Sequence, residues 1–189
     1  MTGLRVTGLR VTGGELGGRR LKVHPEVRPT ADRVRESLFM ILSERLPGTR
    51  ALDLFAGSGA LGIEALSRGA VSCVFVEASA RVAAVLESNL DALGLGARGA
   101  VRVERADRWV SGAGRRGEAF DLILLDPPYD ARGVDRLLAD LVRLRLLAPG
   151  GLIAWEHDRR AKDPPADLEP VDERRYGDTE VTLLRPAGG

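Results

Sequence analysis

Apolar residues come in two rhythms that alternate along most of the chain. Residues 51–55, 71–77, 101–105, 120–125 and 152–155 are short runs rich in Val, Leu, Ile and Phe. Between them lie stretches with helical spacing: residues 58–68, then 79–93 with Val82, Leu86, Leu90 and Leu93 aligned, then 134–147 with Leu137, Leu138, Leu141 and Val142. Gly69 and Gly94 stand where two of these helices would stop. Apolar strands, of which 120–125 is almost wholly so, alternating with amphipathic helices predict a parallel sheet covered on both faces. The end of the chain differs. Residues 168–174 and 180–184, joined through Tyr176, Gly177 and Asp178, predict an antiparallel hairpin. The expected fold is a doubly wound α/β domain with an antiparallel finish.

The first fifty residues read otherwise. Residues 2–6 repeat as residues 7–11, Thr-Gly-Leu-Arg-Val twice, too short for a structural repeat and read as extended chain. Residues 10–23 suggest short strands turning at Gly13-Gly14 and Gly17-Gly18. Pro29 disfavours helical geometry at Arg28, Thr30 can cap a helix, and Asp32 suits its first turn. Val34, Leu38, Ile41 and Leu42 then give that helix one buried face, and Pro47-Gly48 ends it. This divides the chain into a short basic N-terminal extension, residues 1–47, and a main domain, residues 48–186.

Composition narrows the class. The chain is 44% hydrophobic and 29% charged, the balance of an ordinary globular protein. No apolar run approaches the roughly 18–20 residues that span a bilayer, which argues against a membrane partner. Cys73 is the single cysteine, which excludes an internal disulfide, suits a reducing cytoplasm, and reads as core. His24 and His157 are too few and too far apart to suggest a metal site. The net charge of +1 hides an asymmetry: residues 1–50 hold ten Arg and Lys against five Asp and Glu, and the remainder 18 against 22. A basic segment on a mildly acidic body is a plausible footprint for phosphate binding.

The chemistry concentrates at two motifs. The first, D-L-F-A-G-S-G-A-L-G from Asp53, places Gly57, Gly59 and Gly62 as G-x-G-x-x-G directly after a predicted strand. Missing side chains let backbone approach a nucleotide-like ligand, and Glu77, 20 residues after Gly57, can accept hydrogen bonds from ribose hydroxyls. A nicotinamide dehydrogenase would share this spacing. Asp53 separates the two, because a carboxylate there suits an ammonium- and sulfonium-bearing ligand and repels a diphosphate. The second motif, Asp126-Pro127-Pro128-Tyr129, follows an apolar strand whose carboxyl end should face the ligand. An exocyclic base amine is a poor nucleophile. Asp126 and a carbonyl near Pro127 can accept its N–H bonds and aim its lone pair, with two prolines fixing the backbone and Tyr129 stacking the base. Asp107, after the third predicted strand, suits an adenine amine. These features point to S-adenosylmethionine as cofactor and to methyl transfer onto a nucleic-acid base. Trp109 and Trp155 read as core.

From about residue 10 to 185 the chain resembles the bacterial 16S rRNA guanine-N2 methyltransferases, which share the Rossmann-like class I fold. The narrowest resemblance is R-P-T-A-D-R-V-R-E from Arg28 to Glu36; the glycine loop, Glu77, Asn89 and D-P-P-Y add to it. The resemblance implies methylation of one guanine N2 in 16S rRNA, within assembled or assembling 30S particles. It implies donor contacts at Asp53, Gly57, Gly59, Glu77 and Asp107, and the target base at Asp126–Tyr129. The D-P-P-Y motif also suits an adenine-N6 enzyme on DNA or RNA. Arg19, Arg20, Arg28, Arg33 and Arg35 are expected to form the RNA-facing surface, since guanidinium groups match phosphate geometry. Nothing in this reading requires an oligomer, and a monomer would suffice.

Overall fold

The computed structural model describes residues 8–27, 32–128, 131–158 and 163–188. Seven strands form one sheet: β1 (Arg50–Leu54), β2 (Ser72–Glu77), β3 (Gly99–Val103), β4 (Phe120–Leu125), β5 (Leu147–Asp158), β6 (Leu168–Tyr176) and β7 (Thr179–Pro186). Their order is β3-β2-β1-β4-β5-β7-β6. β1 to β5 run parallel, while β7 pairs antiparallel with both β5 and β6. The doubly wound α/β reading with a terminal hairpin is what the structure has. The strand order reverses between β1 and β4, and a crevice at such a switch point is where open α/β sheets bind ligands.

Five helices cover the sheet: α1 (Asp32–Ile41), α2 (Ala60–Ser67), α3 (Ala80–Ala92), α4 (Ala106–Arg115) and α5 (Val134–Arg143). One apolar cluster joins α1, α2 and α3 to one face through Leu38, Ile63, Leu86, Leu122 and Ala154. A second joins α4 and α5 to the other through Trp109, Leu138, Ile123 and Trp155. Leu9, Val11, Leu21 and Val23 belong to the first cluster, so the N-terminal segment shares the core of the sheet. That segment is lighter in regular structure than its glycine spacing predicts: a bridge between Arg10 and Arg20, a further bridge residue at Val23 and a 3₁₀ turn at Gly14–Leu16. The predicted cap at Thr30, the whole first Thr-Gly-Leu-Arg-Val copy and Thr7 of the second lie outside the described residues.

Two elements depart from the periodic reading. α4 occupies a stretch where no helix is predicted, because Gly112, Gly114 and Gly117 mask its Trp109-Val110-Ala113 face. Gly114 is there for packing: a Cβ on it would stand 2.8 Å from Leu144 Cβ, so α4 and the end of α5 approach closely. The helix expected over 134–147 stops at Arg143, since Arg145 adopts φ 57°, and Leu147 instead pairs with Phe120 at the start of β5. The bulge between Phe120 and Leu122 accommodates Pro149 and Gly150 within that strand.

Candidate functional site

The carboxyl ends of β1, β2, β4 and β5 open into one cleft of about 1490 Å³. Asp53, Gly57, Glu77, Asp107, Asp126 and Pro127 all line it, so the two sequence motifs meet in space. The glycine loop is built by backbone geometry. Gly57 has φ 54° and Gly59 φ 83°, left-handed values that a Cβ would strain. A Cβ on Gly59 would also stand 2.2 Å from Leu86 Cδ1. Gly62 serves packing: its missing side chain lets α2 lie against Phe75 of β2, where a Cβ would be 2.3 Å from Cε1. Phe55, without glycine's freedom, is held at φ 63° at the turn out of β1, the kind of strained backbone that clusters at functional sites.

Carboxylates hold this loop from below. Glu77 accepts from the Gly57 N–H at 2.9 Å and the Ser79 N–H at 2.8 Å, fixing both loops that border the cleft. Asp53 is fully buried and accepts from the Gly62 N–H at 2.9 Å. Burial pushes its carboxyl up to about 8; the Gly62 N–H opposes this, and the neighbouring Asp126 and Glu77 charges add to it. An acidic, partly desolvated floor under a glycine loop fits a ligand that carries positive charge beside an adenosine. Asn89 ties the assembly to the N-terminal segment: it accepts from Lys22 N–H at 2.9 Å and donates to Lys22 O and Ser58 O at 2.9 and 3.0 Å. At the far edge Asp107 is exposed in the first turn of α4 and pairs with Arg105, whose hydrogen bond holds its carboxyl below the usual range.

Asp126 is half-buried just beyond β4, Pro127 is buried and Pro128 exposed. Tyr129 lies outside the described residues, as does Arg28. Of the five arginines expected on one RNA-facing surface, the four described ones, Arg19, Arg20, Arg33 and Arg35, are not brought together. Arg33 is exposed and lines the cleft. Arg35 does not face solvent: it is fully buried, donates to Asp32 Oδ1 at 2.9 Å and to the Arg10 carbonyl, and faces Glu64 at 4.0 Å. Two positions on from Arg33, about 200° around the helix, it is turned against α2, where Glu64 supplies a countercharge. Arg19 and Arg20 are exposed, Arg19 donates to Ala92 O at 3.0 Å, and neither lines the cleft.

The structure adds residues that sequence reasoning missed. Arg132 and Arg136, flanking the start of α5, line the cleft, and with Arg33 they have no carboxylate partner among the described residues. Most other cleft arginines are paired, such as Arg175 with Glu180 at 3.1 Å. Glu156, near the end of β5, lines the cleft while only 8% exposed. Tyr176, at the hairpin turn, donates to Ser37 of α1 and so closes the cleft on that side. A spacing rule finds none of these, because strand ends and loops far apart in sequence meet only in the sheet. Among the described residues no group of His, Cys, Asp and Glu is placed to hold a metal ion, and no helix is long and apolar enough to cross a membrane.

Known proteins are similar to this chain in sequence and fold. A Bacillus subtilis (strain 168) protein, "Putative rRNA methyltransferase YlbH", is 39% identical over 179 residues, covering 93% of this chain and 97% of that one. The Haemophilus influenzae "Ribosomal RNA small subunit methyltransferase D" is 35% identical over 150 residues, covering 78% and 76%. The solved structure "Putative methyltransferase yhhF" from Escherichia coli superposes with a TM-score of 0.86 at 30% identity, covering 96% of this chain and 99% of that one. The sheet order, the glycine loop and the terminal hairpin are thus those of a class I methyltransferase fold. Residues 9–185 match the family described as "Conserved hypothetical protein 95", so the chain, from its N-terminal segment to the last strand, belongs to that family.

Proposed function

We propose that the chain transfers a methyl group from S-adenosylmethionine to the exocyclic N2 amine of one guanine in 16S rRNA of the small ribosomal subunit. The observation that carries this is the meeting of Asp126-Pro127-Pro128 with the glycine loop, Asp53 and Glu77 in one cleft. When bound, the donor supplies an electrophilic methyl on a sulfonium. Gly57 and Gly59 leave room for it, Glu77 accepts from ribose hydroxyls, Asp107 takes the adenine amine, and Asp53 balances the positive charge.

On the acceptor side, Asp126 and a carbonyl in the Pro127 region accept the two N–H bonds of the guanine amine. This turns the nitrogen lone pair toward the methyl group and stabilises positive charge as the N–C bond forms and the S–C bond breaks, its electron pair staying on sulfur; one amine proton then passes to the Asp126 carboxylate. The buried Pro127 holds these acceptors in place before the substrate arrives. Tyr129 is assigned to stacking on the extruded base, worth about 1–3 kcal/mol for such a contact. Arg33, Arg132 and Arg136 provide guanidinium groups not neutralised by described carboxylates, suited to the phosphates that flank an extruded nucleotide. The relatives' names support rRNA as the substrate. In this reading the segment up to residue 47 contributes Arg33 to RNA binding, while residues 48–186 carry the chemistry, in the cytoplasm where small subunits assemble.

The test is incubation with labelled donor and unmethylated small-subunit particles, followed by digestion and nucleoside mass spectrometry. N2-methylguanosine at one position is the expected product, with the rate for Asp126→Ala lower by about 100-fold or more. N6-methyladenosine, or an Asp126→Ala protein as active as the wild type, would overturn the assignment.

A further inference from the structure

Glu156 is a buried carboxylate that the scheme above leaves without a task. Leu125 pairs with Trp155 in register, so Asp126, the residue after β4, lies beside Glu156, two residues before the end of the parallel strand β5. Alternation along a strand places both on the face that carries Leu124 and Ala154, the face of the glycine loop. The donor residues Asp53 within β1, Glu77 at the end of β2 and Asp107 after β3 lie on one side of Asp126 in the sheet order. Glu156 follows on the other side, where the acceptor base must lie if Asp126 holds its amine between base and donor. The hairpin encloses this end: Asp158 pairs with Thr179, and Tyr176 and Gly177 line the cleft beyond.

We propose that Glu156 is the residue that selects guanine, accepting the N1–H of the target base beside the amine held at Asp126. This rests on the methyl-transfer reading above and deepens it. Guanine presents N1–H and N2–H donors on one edge, and a carboxylate is acceptor-only, so the two are complementary. Adenine, and any purine whose N1 bears a lone pair, puts acceptor against acceptor in a site shielded from water. Such a site discriminates by repulsion as well as attraction. At 8% exposure Glu156 is shielded enough for that penalty to be large.

The discriminating substrate is RNA carrying 2-aminopurine at the methylated position, which keeps the N2 amine but has a lone pair at N1. Wild-type protein should prefer guanine over 2-aminopurine in kcat/KM by about 100-fold or more, the scale of a site built for a missing hydrogen bond. Glu156→Gln can donate to N1 through its amide, so the preference should fall to about tenfold or less, or invert. Glu156→Ala should bring it near unity, with S-adenosylhomocysteine affinity unchanged in both variants. A preference kept at its wild-type value in either variant would overturn the proposal. So would loss of transfer to both bases in both variants, or loss of donor binding, since either would place Glu156 in catalysis or in the donor site. Failure of the methylation reading itself looks different: wild-type protein would then give no N2-methylguanosine at all.

Discussion

At the residue scale Asp53 makes the sharpest statement. Its carboxyl sits at about 8 in the folded protein against 3.8 for an unperturbed group, chiefly because it is buried. The native state therefore binds more protons than the unfolded chain between these values. The stabilising contribution of the protonated form is full below pH 3.8 and is lost as pH rises through about 8. A cationic ligand reverses the balance, because its charge favours the carboxylate. Donor binding near neutrality should therefore release a proton, and affinity should rise with pH until it levels off above about 8. Calorimetry in buffers of different ionisation enthalpy reads this directly. Asp53→Asn should abolish the proton release; a buffer-independent binding heat for the wild type would contradict the assignment. Cys73 has no comparable part, since burial pushes its thiol up and leaves it an inert core residue.

At the scale of elements the decisive contact joins α1, α2 and the N-terminal segment. Glu64 is fully buried, accepts from Thr12 N–H and Oγ1–H at 2.8 and 2.6 Å, and pairs with Arg68 at 2.8 Å while facing Arg35. Removing one member of a buried ionic group strands its partners. Glu64→Ala should accordingly cost about 3–5 kcal/mol, read as a fall in denaturant midpoint without loss of the residual donor site. A cost below about 1 kcal/mol would mean that water reaches Arg35 and satisfies it. This network explains why R-P-T-A-D-R-V-R-E resembles a family signature yet reads only partly as an RNA surface. Arg33 and Arg35, two positions apart on a helix, point in different directions, one to the cleft and one to the core. The spacing alone states that divergence, but which side is buried depends on where α2 packs.

At the scale of the whole molecule, charge is arranged by depth. Carboxylates lie at the floor of the cleft, and Arg33, Arg132 and Arg136, which have no carboxylate partner among the described residues, line it too, from α1 and the start of α5. Counterions released from single-stranded RNA change the slope of log affinity against log salt by about 0.7 per phosphate contact. Replacing all three arginines with Ala should therefore flatten that slope by about 2 while leaving S-adenosylhomocysteine binding intact. Titration of RNA binding between low and moderate salt measures it. An unchanged slope would move the RNA surface elsewhere, to Arg19 and Arg20 or beyond the cleft. Net charge conceals this pattern, because +1 is the difference of 28 basic and 27 acidic residues and says nothing of where each lies.

The sequence by itself determined the alternation of strands and helices, the terminal hairpin, the glycine loop and the acidic groups at Asp53, Glu77 and Asp126. These are local matters: hydrophobic period, turn chemistry and a motif that must follow a strand are all written within a few residues. Tertiary structure alone decided the rest. It gave α4, which glycines hide until α5 packs against it, and ended α5 early because Leu147 gains more by pairing with β4. It turned Arg35 inward, and it set Glu156 beside Asp126 across neighbouring strands thirty residues apart in the chain. Side-chain surroundings are set by which element lies opposite, and for partners distant in sequence that is decided only when the sheet assembles and its faces are covered.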